Sequence, residues 1–188
     1  MEKKEDIYYI KKVINGETNC FSYLVEKYKG VVFSIALKVL KNRDDAEEAA
    51  QESFIKAFRS LHTYQAKAKF STWLYRIAYN TCISETRKKK TEDLPLDGVQ
   101  VRDDCEELNL DDIPEERREK YVNTALKKLP EDEYTLVLLY YYEDESIEEI
   151  SRITGLTVSN VKIKLYRARK KLYVIMTEML NGKIYELL

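Results

Sequence analysis

The residues best placed to do chemistry in this chain are cations. Lys162, Lys164, Arg167, Arg169, Lys170 and Lys171 stand between Ser159 and Leu172 with no acid among them, and six uncompensated charges along one stretch of helix suit phosphate neutralisation. Ser159 and Asn160, just ahead, are short polar side chains of the kind that meet base edges when the first turns of a helix enter a major groove. Lys162 and Lys164 would reach in beside them. A second cluster interleaves Tyr64, Phe70, Trp73, Tyr75 and Tyr79 with Lys67, Lys69 and Arg76. Aromatic faces stack on unpaired bases while cations meet the phosphates. Phe70 and Trp73 share an apolar helix face and are expected to pack, which leaves Tyr64, Tyr75 and Tyr79 for stacking. A third string, DAEEAAQESF from Asp45 to Phe54, presents Glu48, Gln51 and Glu52 on adjacent turns, a face that could dock a basic protein surface or simply stand in solvent.

Covalent and metal chemistry find no such support. Cys20, Cys82 and Cys105 are far apart and odd in number, which builds neither a disulfide framework nor a CxxC-type site. The one histidine, His62, has no Cys or carboxylate at ligand spacing. GxSxG, HExxH, P-loop and GxGxxG strings do not occur, so the common sequence-visible enzyme classes drop out. No catalytic residue, metal, cofactor or small-molecule substrate is expected, and the chain does not read as an enzyme.

The elements that must position these side chains read as helices. Phe21, Leu24, Val25, Tyr28, Val32, Ile35 and Val39 recur at three- and four-residue steps, a buried helix of five or six turns. Asp44 and Asp45 are expected to cap a second helix, with Glu47 and Glu48 in its first turn and Ala50, Phe54, Ala57 and Phe58 on its apolar face. A loop near His62 to Lys69 comes next. Ser71 is expected to cap a third helix with Phe70, Trp73, Leu74, Ile77 and Thr81 on one face and Arg76, Tyr79, Asn80, Ile83 and Arg87 on another. Further on, Pro114 and Pro130 sit where a first-turn proline is tolerated and open helices near Glu115 to Lys128 and Glu131 to Tyr142. Ser146 with Glu149 makes a capping box ahead of Ile147, Ile150 and Ile153. Gly155 then stops that helix, and Thr157 can cap the last one, a helix-turn-helix pattern.

At 188 residues the chain has room for one large domain or two small ones. Five Gly and three Pro are too few for the turns of a sandwich or barrel, so the expected class is all-α. The net charge of minus 1 hides a segregation: Thr91 to Glu116 carries eleven acids against one base, Arg102. That nets minus 10 and leaves plus 9 for the rest. With Pro95, Gly98 and Pro114 and no apolar period, the segment reads as a flexible acidic linker. The expected partition is a helical domain over 1–90, a linker over 91–113 and a second helical domain, holding the helix-turn-helix, over 114–188. No run approaches a membrane span and the amino terminus lacks a secretory signal's apolar core, so the expected location is the cytoplasm.

The strings DAEEAAQESFIKAF, KFSTWLYRIAYN and ESIEEISRITGLTVSNVKIKLYRARKKL, in this order around a variable acidic linker, closely resemble an extracytoplasmic-function (ECF) sigma factor of bacterial RNA polymerase, a member of the sigma-70 family. The resemblance implies a two-domain helical initiation factor. Its first domain would bind core polymerase through Glu48, Gln51 and Glu52, and would recognise and melt the minus-10 element through Tyr64, Lys67, Lys69, Arg76, Tyr79 and Asn80. Its second would read the minus-35 element through Thr157, Ser159, Asn160, Lys162, Lys164, Tyr166 and Arg167. Core RNA polymerase and promoter DNA are the implied partners, together with an anti-sigma factor of a kind often membrane-tethered. The residues alone leave a second reading open, an autonomous helix-turn-helix regulator whose first domain dimerises or senses a ligand. Under the two-domain reading, limited proteolysis of the free protein should cut first between about Thr91 and Ile113 and release two helical fragments; early cutting inside Phe21 to Val39 would contradict the partition.

Overall fold

The structure is a computed structural model that describes residues 2–89 and 115–184. The acidic segment 91–113, Pro114 and Cys105 lie outside the described residues. Among the described residues every regular element is helical: α1 (Glu2–Ile14), α2 (Phe21–Leu40), α3 (Arg43–Ser60), α4 (Phe70–Lys89), α5 (Glu115–Lys128), α6 (Glu131–Val137), α7 (Ile147–Thr154) and α8 (Val158–Ile184). Short 3-10 turns stand at Thr18–Cys20 and Leu61–Thr63, and a π-helical turn at Leu138–Tyr142 continues α6. Among the described residues, packing gathers 2–89 with 145–158 into one compact unit and 115–144 with 159–184 into another. Thus α7, which the sequence groups with the helices after the linker, packs on α4.

In the first unit α2, α3 and α4 pack on one another. The apolar stripe of α2 buries Phe21, Leu24, Tyr28, Val32, Ile35, Ala36 and Val39. Lys41 ends it in the left-handed region with its N–H donating to Leu37 O, and Asn42 caps α3 by accepting from the backbone N–H groups of Asp44 and Asp45. Those two aspartates are therefore not the cap; they stand in the first turn, where the helix dipole favours them. The buried face of α3 is a stripe of small residues, Ala46, Ala49, Ala50, Ser53 and Ala57. Phe54 is only half-buried and Phe58 is 40% exposed, which corrects the expectation for both. Small side chains let the backbones approach, and Ala36, Val39, Ala46, Ala49 and Cys82 form one cluster with Phe33, Leu40, Tyr79 and Ile83 against it.

Helix α4 buries Phe70, Leu74, Tyr75, Ala78 and Cys82. Tyr75 is wholly buried, so it is core and not a stacking platform. Ser71 lies inside the first turn: the Lys69 carbonyl accepts from the Trp73 N–H to open the helix, and the Ser71 hydroxyl is used elsewhere. Helix α1, which the apolar pattern did not announce, is held to α2 by the buried Asp6 carboxylate, which accepts from Lys27 Nζ at 2.8 Å and from the Tyr28 hydroxyl at 2.6 Å. Tyr9 stacks on Tyr23 beside it. Helix α7 starts on the expected capping box of Ser146 and Glu149 and stops at Gly155, whose φ of 76° is costly for any residue with a Cβ.

The second unit buries Ala125 and Leu126 of α5, Leu129 just after it, Leu136, Val137 and Leu139 of α6 and its π turn, and Val161, Leu165, Ala168 and Met176 of α8. Pro130 is the N-cap of α6, one place ahead of the expected first-turn position.

Burial pushes the Cys82 thiol up to about 11, so its reactive thiolate is scarce at neutral pH. In native protein at pH 8, iodoacetamide should alkylate half-buried Cys20 and spare Cys82 until denaturant is added; equal rates without denaturant would contradict this packing.

Candidate nucleic-acid interface

Helix α8 turns Val161, Leu165 and Ala168 inward, and the same periodicity exposes Ser159, Asn160, Lys162, Ile163, Tyr166, Arg167 and Arg169. Thr157, exposed, immediately precedes its first turn. The six cations are not all uncompensated, however. Asp132 of α6 holds Lys164 in an ion pair, and Glu133 accepts from Lys171 Nζ at 2.7 Å. Burial pushes the Asp132 carboxyl up, but the Lys164 hydrogen bond and charge outweigh it and hold the carboxyl below the usual carboxylate range. Lys170 is buried with its ammonium 4.8 Å from the Tyr166 ring centre, a cation–π contact. Both acids lie more than thirty residues upstream of the lysines they meet, beyond any local window of sequence. Lys162, Arg167 and Arg169 are the exposed cations of the first four turns.

The loop into α4 is closed by Tyr64, whose hydroxyl donates to Ala68 O at 2.8 Å. Its ring stands edge-on to Phe70 at 5.6 Å and lies 5.5 Å from Trp73. Ala66 at the tip takes a left-handed φ of 55°, and burial pushes the Tyr64 hydroxyl up. Ring and hydroxyl of Tyr64 are thus committed to the loop, and Tyr79 packs against the α2–α3–α4 cluster. Lys67, Arg76 and Asn80 are exposed and Lys69 is half-exposed. Arg76, Asn80, Ser84 and Arg87, at three- and four-residue steps, form one exposed polar stripe along α4.

Glu48 and Gln51 are exposed on α3, and Glu52 is half-buried with Lys56 at 3.6 Å. With Asp45 and Glu85 they line a groove of about 400 Å³ between α3 and α4, where Lys56 also donates to Thr81 at 3.3 Å. On the other flank of α3, Val25, Phe33, Ala50 and Phe54 line an apolar groove of about 480 Å³ against α2. Gln51 borders both. The apolar groove was not read from sequence, although the half-buried Phe33 and Phe54 beside small Ala50 are its signal.

Two family models match in chain order, Sigma-70 region 2 over residues 24–92 and Sigma-70, region 4 over residues 119–172. The chain is 33% identical over 180 residues to the ECF RNA polymerase sigma factor SigW of Bacillus subtilis, covering 87% of this chain and 92% of the relative. The chain belongs to the ECF RNA polymerase sigma factors. A second member, the sigma-E factor of Haemophilus influenzae, is 31% identical over 196 residues, covering 100% of this chain and 99% of the relative. The fold is shared with two solved complexes, each at 20% identity. RpoE with the anti-sigma factor NepR from Bartonella quintana has a TM-score of 0.60 and covers 84% of this chain and 96% of that one. CnrH with the cytosolic domain of CnrY has a TM-score of 0.58 and covers 93% and 96%. Region 2 of this sigma factor spans α2 to α4, and the region 4 match contains α7 and the basic turns of α8. Among the described residues no helix is long and apolar enough to cross a membrane.

The two kinds of cation on α8 should separate experimentally. Arg167→Ala should lower the slope of log affinity against log salt for duplex DNA by about 0.9, with unfolding unchanged. Lys170→Ala should leave the slope alone and lower the unfolding midpoint, because the lysine is buried. A slope change with Lys170→Ala and none with Arg167→Ala would reverse the assignment.

Proposed function

We propose that this chain is the promoter-specificity subunit of a bacterial RNA polymerase, a cytoplasmic and non-enzymatic factor organised as a region 2 domain over 1–90, an acidic connector over 91–113 and a region 4 domain over 114–188. The observation that carries the reading is the ordered pair of sigma-70 regions on a chain whose exposed side chains meet three separate needs. Glu48, Gln51 and Glu52 line a groove that offers carboxylates to a basic protein surface, the role of polymerase docking. Lys67, Lys69, Arg76 and Asn80 face the minus-10 strand, with Tyr64 and Tyr79 holding the loop and helix that present them. Extruding an unpaired base costs a few kcal/mol, which a preformed loop and cationic face offset better than a mobile one. Thr157, Ser159, Asn160, Lys162, Tyr166 and Arg167 face the minus-35 duplex, and Lys164 reaches it from its ion pair with Asp132. An anti-sigma factor is the further partner, in keeping with the complex of RpoE with the anti-sigma factor NepR.

An autonomous regulator would bind its operator alone and would have no use for an acidic groove on region 2. Runoff transcription separates the two: core polymerase with this protein should initiate at its promoter and core alone should not. Glu48→Lys with Glu52→Lys should weaken core binding by reversing the charges offered to the partner while circular dichroism stays unchanged. Specific initiation without core dependence, or unchanged core affinity in the folded double variant, would remove the corresponding assignment.

A further inference from the structure

Among the aliphatic side chains in the first turns of α8, one stands in solvent. Val161 and Leu165 are buried and Val158 is half-buried, whereas Ile163 is 45% exposed. It lies one turn after Ser159 and Asn160 and one turn before Tyr166 and Arg167, all four exposed, so at three- and four-residue steps it shares their face of the helix. A single exposed apolar residue on a protein surface is ordinary. This one sits in the middle of a face otherwise made of hydroxyl, amide and cationic groups, with Tyr166, 43% exposed, as its neighbour. Lys170 Nζ lies 4.8 Å from the centre of the Tyr166 ring, a cation–π contact that holds the ring in place. Ile163 is itself stiff, since a β-branched side chain in a helix keeps essentially one χ1 rotamer. The two side chains make a small apolar spot that is ordered before DNA arrives.

The major groove offers such a spot one partner. Guanine presents two acceptors there, adenine an acceptor and a donor, and cytosine a donor, while thymine adds a C5-methyl group beside its O4 acceptor. Isoleucine neither donates nor accepts, so against a guanine, adenine or cytosine edge it displaces water from a polar group and returns no hydrogen bond. Against the thymine methyl, apolar surface meets apolar surface. We propose that Ile163 is a specificity-determining residue of this sigma factor: it reads the C5-methyl of one thymine in the minus-35 element, with the Tyr166 ring flanking the contact. The neighbouring Ser159, Asn160, Lys162 and Arg167 meet polar base edges and phosphates, so the apolar contact selects at a single base pair. The assignment rests on the reading of α8 as the minus-35 face.

The test uses holoenzyme assembled from core polymerase and the full chain, on a promoter duplex from which runoff transcription initiates. Each minus-35 thymine, on either strand, is replaced in turn by uracil, which pairs identically and lacks only the methyl group. At one position uracil should weaken wild-type binding about fourfold, the worth of one buried methyl, and there 5-methylcytosine should be bound better than cytosine by a similar factor. Ile163→Ser should bind the thymine duplex severalfold less tightly and treat thymine and uracil alike, with circular dichroism unchanged. Its salt slope should match wild type, since no charge is removed. Ile163→Val, which keeps the branch, should still prefer thymine. If Ile163→Ser loses helix content, Ile163→Ala, a better helix former, takes its place. Wild-type indifference to uracil at every minus-35 position overturns the assignment, as does a thymine preference that survives in Ile163→Ser or Ile163→Ala. A scrambled minus-35 element separates the two readings. If scrambling abolishes tight binding while uracil is neutral, Ile163 is not a reader and the α8 face stands; if scrambling changes nothing, the α8 face is misassigned and Ile163 falls with it.

Discussion

Close approach of three helices along the small residues of α3 is the constraint on which the first unit depends. Ala46, Ala49, Ala50, Ser53 and Ala57 occupy little space, so the volume between the helices is filled from α2 and α4 by Leu24, Val32, Ile35, Phe70, Leu74 and Tyr75. Interiors pack to near-crystalline density, and a larger residue on the α3 stripe would push its neighbours apart. Since α3 buries its small side chains, its flanks become the two grooves, with Glu48, Gln51 and Glu52 along their edges. The position of α4, and with it the exposed stripe of Arg76 and Asn80, is set by the same contact.

Charge is distributed by partners as much as by sequence position. On α8 a run of bases divides into exposed cations, two ion-paired lysines, Lys164 and Lys171, and a buried lysine over a tyrosine ring. A phosphate would meet the exposed cations first, because the paired ones already spend their field on Asp132 and Glu133. Glu133 also leaves its Oε2 buried without a protein hydrogen-bond partner, so its anchoring of Lys171 comes through one oxygen. On α4 the same principle works in reverse, since Ser71 and Lys69 look from sequence like a cap and a loop cation, whereas the Ser71 and Thr72 hydroxyls donate to Glu145 and Lys69 pairs with Glu149 at 3.9 Å.

Apart from α1, helix content, order and most boundaries were legible in the chain because they depend on short-range rules. The α2 stripe, the Ser146–Glu149 capping box, the stop at Gly155 and the helices opening at Glu115 and Glu131 each need information from a few neighbouring residues. Family membership was equally legible, since three motifs in fixed order carry it without any contact being known. Tertiary structure decided which side of a local pattern faces inward and which charges meet. It placed Tyr75 in the core, Phe58 at the surface and Asn42 at the α3 cap, and it tied Asp132 to Lys164 and Glu145 to Ser71 and Thr72. The reason is physical: burial and ion pairing join residues tens of positions apart, and one helix's periodicity leaves several faces that could pack until its neighbours choose among them.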